Sequence, residues 1–232
     1  MFNSEPVRPR STDPIDLEAL AALKRGAENP VQATLGDLPA VAAELSDAFA
    51  DDVMFDWFLR TGDRRDAARL KVFEFILRHV AFGAGRVERP EGGGAAALWM
   101  PFEALAPTPL LTELRALPTL LFATGLARFS RLAAMREAMD THHPMTTPHA
   151  YLMFLGVIRP LQGHGVGSRL LKVGTDRLDA VGMAAYLETQ TRRNVAFYRR
   201  HGFAVISETR PRPDAPPLWG MWREPAPQEP QG

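Results

Sequence analysis

The chain predicts an α/β fold in a single domain. Two stretches carry that expectation: an apolar run that passes through a glycine loop into a periodic helix, "YLMFLGVIRPLQGHGVGSRLLKVGTDRL" at 151–178, and the hairpin-like "RVERPEGGGAAALWMP" at 86–101. A third observation is size. With 232 residues, 46% of them hydrophobic, the chain can bury a sizeable core.

The elements follow in order. Residues 1–29 are rich in charge and proline and are expected to form a flexible arm, within which "PIDLEALAAL" suits a short helix. "PVQATL" reads as a short strand, and Asp37 is placed to cap a helix through "LPAVAAELSDAFA" with Pro39 in its first turn. Leu38, Val41, Ala42, Leu45 and Phe49 give that helix one apolar face. A second helix fits "DRRDAARLKVFEFILRHVAFG", with Leu70, Phe73, Ile76, Leu77 and Val80 at helical spacing. The Gly92 to Gly94 run then turns a hairpin into a strand that ends at Pro101. From Pro101 to Pro148 the chain is mainly helical, and Pro118 is expected to divide it. Leu110, Leu114, Leu117 and Leu121 form one stripe, continued by Leu126, Phe129 and Leu132, which reads as packed core. "YLMFLGVI" is a strand by length and content, and "GSRLLKVGTDRLDAVG" a helix burying Leu170, Leu171, Val173 and Leu178. "AAYLE", "FAVISET" and "LWGMWRE" read as further strands, the last two joined by the turn-rich "RPRPDAPP" and followed by a flexible tail at 225–232.

Composition excludes several functions. Lys plus Arg equals Asp plus Glu at 27 each, so no charge excess points to nucleic acid or an anionic membrane surface. The absence of cysteine excludes disulfides, thiolate metal sites and a cysteine nucleophile, and suits a reducing, cytoplasmic setting. "MFNSEPVRPRSTDP" has no apolar signal core, and no apolar run approaches the roughly 18 residues that span a bilayer, so no membrane partner is expected. His142, His143 and His149 crowd together in "THHPMTTPH", but without clustered carboxylates they read as turn formers and hydrogen-bonding groups, and no metal is expected.

The loop "QGHGVG" joins a strand to a helix. Such a junction leaves backbone N–H groups unpaired at the positive end of a helix dipole, and glycines let that backbone close around a phosphate. The same kind of turn also serves simply to reverse a chain, so spacing must separate the readings. A Walker A loop needs Gly-Lys-Ser/Thr, and Lys172 comes too late. The dinucleotide fingerprint G-x-G-x-x-G is nearer: Gly163 and Gly165 fit and Glu188 follows at about the expected distance, but Ser168 occupies the third position. The chain after it is too short for a full doubly wound sheet. The spacing Q/R-x-x-G-x-G/A is matched by Gln162, Gly165 and Gly167.

On these residues the chain resembles the GNAT superfamily of acyl-CoA-dependent N-acyltransferases, whose pyrophosphate loop carries that last motif. The resemblance extends through "AAYLETQTRRNVAFYRRHGFAVISE", which holds N-x-x-x-Y-x-x-x-G-F at Asn194, Tyr198, Gly202 and Phe203, and upstream to "VQATLGDLPAVAAELSDAFADD". Within the superfamily it is similar to a group with "HP", "PH-x-YL" and "YLET" around the same strands. It departs from that group at Ala150, often tryptophan there, and in "DDVMFDW", which lacks the usual proline.

The resemblance implies a mixed, mostly antiparallel central sheet flanked by helices, with splayed fourth and fifth strands, over a domain at 30–224 with a helical insertion at about 103–140. It implies acetyl-CoA as co-substrate and an amine acceptor, with a small molecule expected and the protein a monomer or homodimer. Backbone at Leu155, Gly156 and Val157 would meet the pantetheine arm, which would explain a glycine at 156, and an amide there would stabilise an oxyanion. Gln162, Gly163, His164, Gly165, Val166, Gly167 and Ser168 would hold the pyrophosphate. Asn194 and Tyr198 would lie beside CoA, with Tyr198 as general acid toward the departing thiolate. Glu188 is the candidate base, directly or through water; the alternative is a carboxylate paired with Arg192 or Arg193. Asp51, Asp52 and Trp57 either border the acceptor cleft or cap and pack a helix. Two other classes remain beside the transferase: a non-catalytic acyl-CoA-binding or sensing module, and a nucleotide-dependent oxidoreductase.

Overall fold

A computed structural model describes residues 17–105 and 110–227. The chain runs through α1 (Leu17–Glu28), β1 (Val31–Gln32), α2 (Leu38–Ala48), α3 (Val53–Phe58) and α4 (Arg65–Ile76), which ends in a π-helical turn at Leu77–Ala81. It continues through β2 (Arg86–Arg89), β3 (Ala95–Pro101), α5 (Leu110–His142), β4 (His149–Val157) and α6 (Val166–Asp179). The remaining elements are β5 (Ala184–Thr189), α7 (Arg192–Arg199), β6 (Ala204–Thr209) and β7 (Leu218–Arg223). The strands form one seven-stranded sheet in the order β1-β2-β3-β4-β5-β7-β6, antiparallel at every step except β4 to β5. This is the mixed, mostly antiparallel sheet that the sequence resemblance implied.

The alternation of β3 explains how two layers of helix share one sheet. Ala96, Leu98 and Met100 enter a core with α2, α3, α4 and α5, whereas Ala95, Ala97 and Trp99 enter a second core with α1, α6 and α7. Both faces are therefore buried, and the strand reads as a continuous apolar run. A bulge interrupts the ladder where Leu98 faces Phe154 and Trp99 faces Leu152, leaving Met153 as the extra residue of β4. Met153 and Phe154 thus both pack on the α2 side.

The arm expected at 1–29 is partly structured: Leu17–Glu28 is a helix, and its Leu20 and Ala27 are buried in the second core. Arg169 ties it to α6 through Glu28 at 2.7 Å. Residues 1–16, and 228–232 of the expected tail, lie outside the described residues. Asp37 stands at the start of α2 but makes no side-chain cap; its carboxylate accepts from the Thr34 amide (2.8 Å) and hydroxyl (2.6 Å) and from Arg89 (2.7 Å).

The insertion differs from its sequence reading in two ways. Pro118 stays inside α5, and the break falls at Gly125, whose φ of 63° and ψ of 170° are not helical. Only part of the leucine stripe is core: Leu132 is buried as expected, but Leu114, Leu117 and Leu126 are 57%, 40% and 87% exposed, and Ala116 and Ala123 are buried instead. Ala123 and Leu132 enter the core shared with α3 and α4, which leaves Leu114, Leu117 and Leu126 outward. The second half of α5 instead holds α3: Arg128 donates to the carbonyls of Asp56 (2.8 Å) and Leu59 (2.7 Å), and Arg131 to that of Trp57 (3.0 Å), filling a helix C-terminus. Among the described residues, no helix is long and apolar enough to cross a membrane.

Candidate active site

Parallel pairing of β4 with β5 covers His149 with Ala184, Ala150 with Ala185 and Tyr151 with Tyr186, and then stops. The two strands part there. On its other edge β4 stays paired with β3 as far as Ala95 opposite Val157, and Ile158 N–H donates to Gly94 O at 3.0 Å. Successive residues of an antiparallel strand turn their amides to opposite edges, so Gly156 and Ile158 address β3 while Leu155 and Val157 address the gap. The Val157 carbonyl accepts from Gln162 Nε2 at 3.0 Å. Of the residues expected to offer backbone at the gap, Leu155 and Val157 thus have the right edge and Gly156 does not. The glycine at 156 has another cause: a Cβ there would stand 2.7 Å from Leu45 Cδ2 and 3.0 Å from Ala48 Cβ, where α2 crosses the sheet.

The loop closes one end of the gap. Gly163 and Gly165 have φ of 84° and 83°, the left-handed region in which glycine carries no side-chain penalty, and Gly165 opens α6. The first-turn amides of α6, at Val166, Gly167 and Ser168, have no intrahelical acceptor and sit at the positive end of its dipole. Gln162, Gly163, Gly165, Val166, Gly167 and Ser168 all line one cleft of about 1750 Å³; His164 does not.

Arg159, Asp47 and His201, which the sequence did not single out, brace the loop together with Gln162 and Ser168. Arg159 donates to Asp47 through its backbone N–H (2.7 Å), Nε (3.0 Å) and Nη2 (2.8 Å), and Gln162 Nε2 also donates to the Ala48 carbonyl at 3.3 Å. His201 Nδ1 lies 2.9 Å from the Phe197 carbonyl and so carries the proton, which makes its Nε2 the acceptor for the Ser168 hydroxyl at 2.5 Å. That bond stitches the start of α6 to the end of α7. Nothing local in the sequence marks it, because the two residues are 33 positions apart.

The opposite wall is α7, which Thr191 caps by accepting from the Asn194 amide at 3.2 Å. Asn194 and Tyr198 both line the cleft. Tyr198 is half-buried between Phe197 and Phe203, at ring distances of 5.1 and 5.8 Å, and burial pushes its phenol above the usual tyrosine range. It stays protonated at neutral pH.

Glu188 lies at the end of β5, on the same face as Tyr186. Its side chain is only 3% exposed, and neither carboxylate oxygen accepts a hydrogen bond among the described residues. Burial, with the Glu188 charge added to it, raises the phenols of Tyr151 and Tyr186, yet neither hydroxyl donates to the carboxylate in hydrogen-bond geometry. Its ion contact is His143 Nδ1, 3.6 Å from Oε1. Arg192 is not its partner; that guanidinium lies over the Trp219 ring, 5.9 Å from its centroid.

The three histidines separate. His142 Nδ1 bonds back to the Ala138 carbonyl at 2.8 Å, whereas His143 Nε2 meets His149 Nε2 at 2.9 Å and His149 Nδ1 meets the Thr147 carbonyl at 2.8 Å. No group of His, Cys, Asp or Glu among the described residues is arranged to hold a metal ion. Asp51 and Asp52 border the cleft, with Asp52 also capping α3 through the amides of Met54 and Phe55 (2.9 Å each). Trp57 packs away from it and donates to Asp214 at 3.0 Å. Beyond Glu188 the cleft continues between the sheet and α3, α4 and α5, where Phe55, Phe58, Ile76, Leu132, Met135 and Met139 make its lining apolar.

Known proteins share this arrangement. Residues 98–203, which run from within β3 through β4, the glycine loop, β5 and α7, match the model of the acetyltransferase (GNAT) family. The chain is similar to the crystal structure of a histone acetyltransferase HPA2 and related acetyltransferase from Corynebacterium glutamicum, at 28% identity and a TM-score of 0.63 over 86% of this chain and 97% of that one. The fold is also that of a Drosophila melanogaster polyamine N-acetyltransferase, at 19% identity and TM-score 0.55 over 84% of this chain and 98% of that one. It is shared too by the ribosomal-protein-S18-alanine N-acetyltransferase of Escherichia coli, at 14% identity and TM-score 0.50 over 88% and 97%. The parted β4 and β5, the loop and the α7 wall all fall within residues 98–203, the part of the chain that is similar to the acetyltransferase (GNAT) family.

Proposed function

We propose that the protein transfers an acetyl group from acetyl-CoA to the primary amine of a small molecule with an apolar body. The observation that carries this reading is the unpaired edge of β4 at Leu155 and Val157, running directly into the left-handed glycines and bare amides that open α6. An extended amide-bearing arm can bond to such an edge while a diphosphate meets the helix end. The residues present fit both needs.

The chemistry then follows from the other walls. An alkyl ammonium has a reference pKa of about 10.4 and must lose a proton before it can attack. Glu188, buried and without a hydrogen-bond donor among the described residues, is the group that receives the ammonium and draws that proton away. Attack on the thioester carbonyl forms an oxyanion, for which an amide at Leu155 or Val157 is the available donor. When the C–S bond breaks, the thiolate takes the Tyr198 proton. The apolar lining at Leu132, Met135 and Met139 favours an acceptor whose body is hydrocarbon rather than peptide backbone.

The test is release of CoA thiol from acetyl-CoA in the presence of primary amines graded in length and apolar bulk. Release with apolar amines supports the reading. CoA binding by calorimetry without release on any amine would favour a non-catalytic acyl-CoA-binding module instead, and retention of NAD(P) rather than CoA an oxidoreductase.

A further inference from the structure

A buried carboxylate with no donor is costly unless something cationic joins it. Among the described residues Glu188 has no such donor, and the histidine pair beside it fixes what can join. His149 is 1% exposed, and burial lowers its pKa, so it is neutral at pH 7 and carries one ring proton. The Thr147 carbonyl 2.8 Å from Nδ1 can only accept, so the proton is on Nδ1. His149 Nε2 is then a bare acceptor, and His143 Nε2, 2.9 Å away, must be the donor. The consequence falls on the far side of His143. With Nε2–H committed, its Nδ1 is the nitrogen that gains and loses a proton, and it faces Glu188 Oε1 at 3.6 Å.

We propose that His143 is a further catalytic residue: its Nδ1 is where the acceptor's proton comes to rest, with Glu188 steadying the imidazolium and His149 acting as a positioning residue that sets the tautomer. The proposal rests on the acetyl-transfer reading and deepens it. In the step, an ammonium N–H bond breaks and its electron pair stays on the amine nitrogen. The proton bonds to His143 Nδ1, directly or by way of a Glu188 oxygen. The anionic Glu188 and neutral His143 become a carboxylate–imidazolium pair, and the amine is left neutral to attack. Over a turnover the ammonium loses two protons; one leaves on the CoA thiol and the other reaches solvent through His143.

The surroundings suit the role. His143 packs edge-on against Tyr186 and Tyr151, at ring distances of 4.6 and 5.0 Å, which hold the ring plane. Among the described residues, the titratable groups around it are Glu188 and Tyr186 from β5, His149 and Tyr151 from β4, and Asp140 in the last turn of α5. Both phenols stay protonated, so the carboxylates supply the charge. His143 lines the same cleft as Glu188, Asp140 and Tyr198. Pro144 stops α5 at this point and Pro148 starts β4 beyond it, so the sequence "HHPMTTPH" is the clamp that brings His143 back onto His149.

Two measurements on the full chain test it. In NMR of ring nitrogens, His149 should show a fixed Nδ1–H tautomer, and Glu188→Gln should lower the midpoint at which His143 gains its second proton. An unchanged midpoint overturns the pairing whether or not any amine is a substrate. In steady-state kinetics with an accepted amine, His143→Gln should lower kcat by about 10² to 10⁴-fold. It should also remove the acidic limb of the pH profile and leave the CoA Kd unchanged. A His143→Gln protein with full activity and the same limb overturns the catalytic role. Loss of CoA binding in the unaltered protein would overturn acetyl transfer itself, and the NMR titration would still decide the pairing.

Discussion

Gly156 of β4 lies so close to Leu45 of α2 that a Cβ on the glycine would stand 2.7 Å from the leucine Cδ2. Leu45 is 1% exposed and Ala48 blocks the other side at 3.0 Å, so neither can move freely aside. Gly156→Ala is therefore expected to destabilise the domain by about 1–3 kcal/mol through overpacking. In Leu45→Ala the same methyl would enter the space vacated, so the two changes should cost less together than their sum, with a coupling of about 0.5–3 kcal/mol. Denaturant unfolding of the four proteins measures it, and strictly additive costs would mean that the helix simply shifts.

That pair also shows where the sequence was legible. Periodicity marked the buried face of α2 at Leu38, Val41, Ala42 and Leu45, and glycine spacing marked the loop at Gly163 and Gly165, because both are local properties. What a residue meets across the fold is not local. Glycine at 156 looked like room for a ligand and is room for α2; Pro118 looked like a break, and the break is at Gly125. The leucine stripe of α5 looked like core because a period shows which residues share a face, not whether that face is covered. The His143–His149 bond needed two prolines and a strand register to bring the rings together, and Glu188 met a histidine rather than the arginines that follow it.

Gly165→Ala should weaken CoA binding without unfolding the protein. The φ of 83° costs a residue with a Cβ about 1–2 kcal/mol, and that Cβ would stand 2.9 Å from Arg169 Nη1. If the loop relaxes to relieve this, its amides turn, and the CoA Kd should rise about tenfold, equivalent to about 1.4 kcal/mol. Calorimetry on a variant with an unaltered far-UV spectrum decides it, and an unchanged Kd would leave the loop as a chain reversal.

The apolar end of the cleft should set acceptor choice. Met135→Ala and Met139→Ala enlarge that end, so kcat/KM for bulky apolar amines should rise relative to small ones by about 10-fold or more, with CoA affinity unmoved. Phe122→Ala is the control, because Phe122 is 38% exposed and lies under Arg60 at 5.4 Å, outside the cleft lining. A changed profile in the control as well would point to altered packing of α5.

Tyr198→Phe keeps the ring against Phe197 and Phe203 and removes only the hydroxyl. If that hydroxyl protonates the thiolate, kcat should fall about 10² to 10⁴-fold while CoA binding stays nearly intact. Because burial raises the phenol, Tyr198 should contribute no alkaline limb below about pH 10. Full activity in the variant would assign the proton to water.

The last prediction concerns pH and stability at the pair that fastens the end of the sheet. Arg223 donates to both Asp179 oxygens, at 2.7 and 2.6 Å, and the Ala226 amide adds a third bond at 2.7 Å. Both side chains are mostly buried, at 12% and 19% exposure. The Arg223 bond holds the Asp179 carboxyl below the ordinary carboxylate range, against the opposing effect of burial. In the unfolded chain the group titrates at about 3.9, so the folded state binds its proton less readily. The contribution is therefore complete above that value and is lost as pH falls through the lower folded pKa. Asp179→Asn should cost about 1.5–3 kcal/mol at pH 7, the range for hydrogen bonds to a charged group. The difference between the two proteins should shrink steadily below about pH 4, because the unaltered carboxyl becomes neutral too. Urea unfolding at a series of pH values reads this directly. A difference that stays constant down to the acid limit would mean that Asp179 acts by shape and hydrogen bonding alone, with no share from its charge.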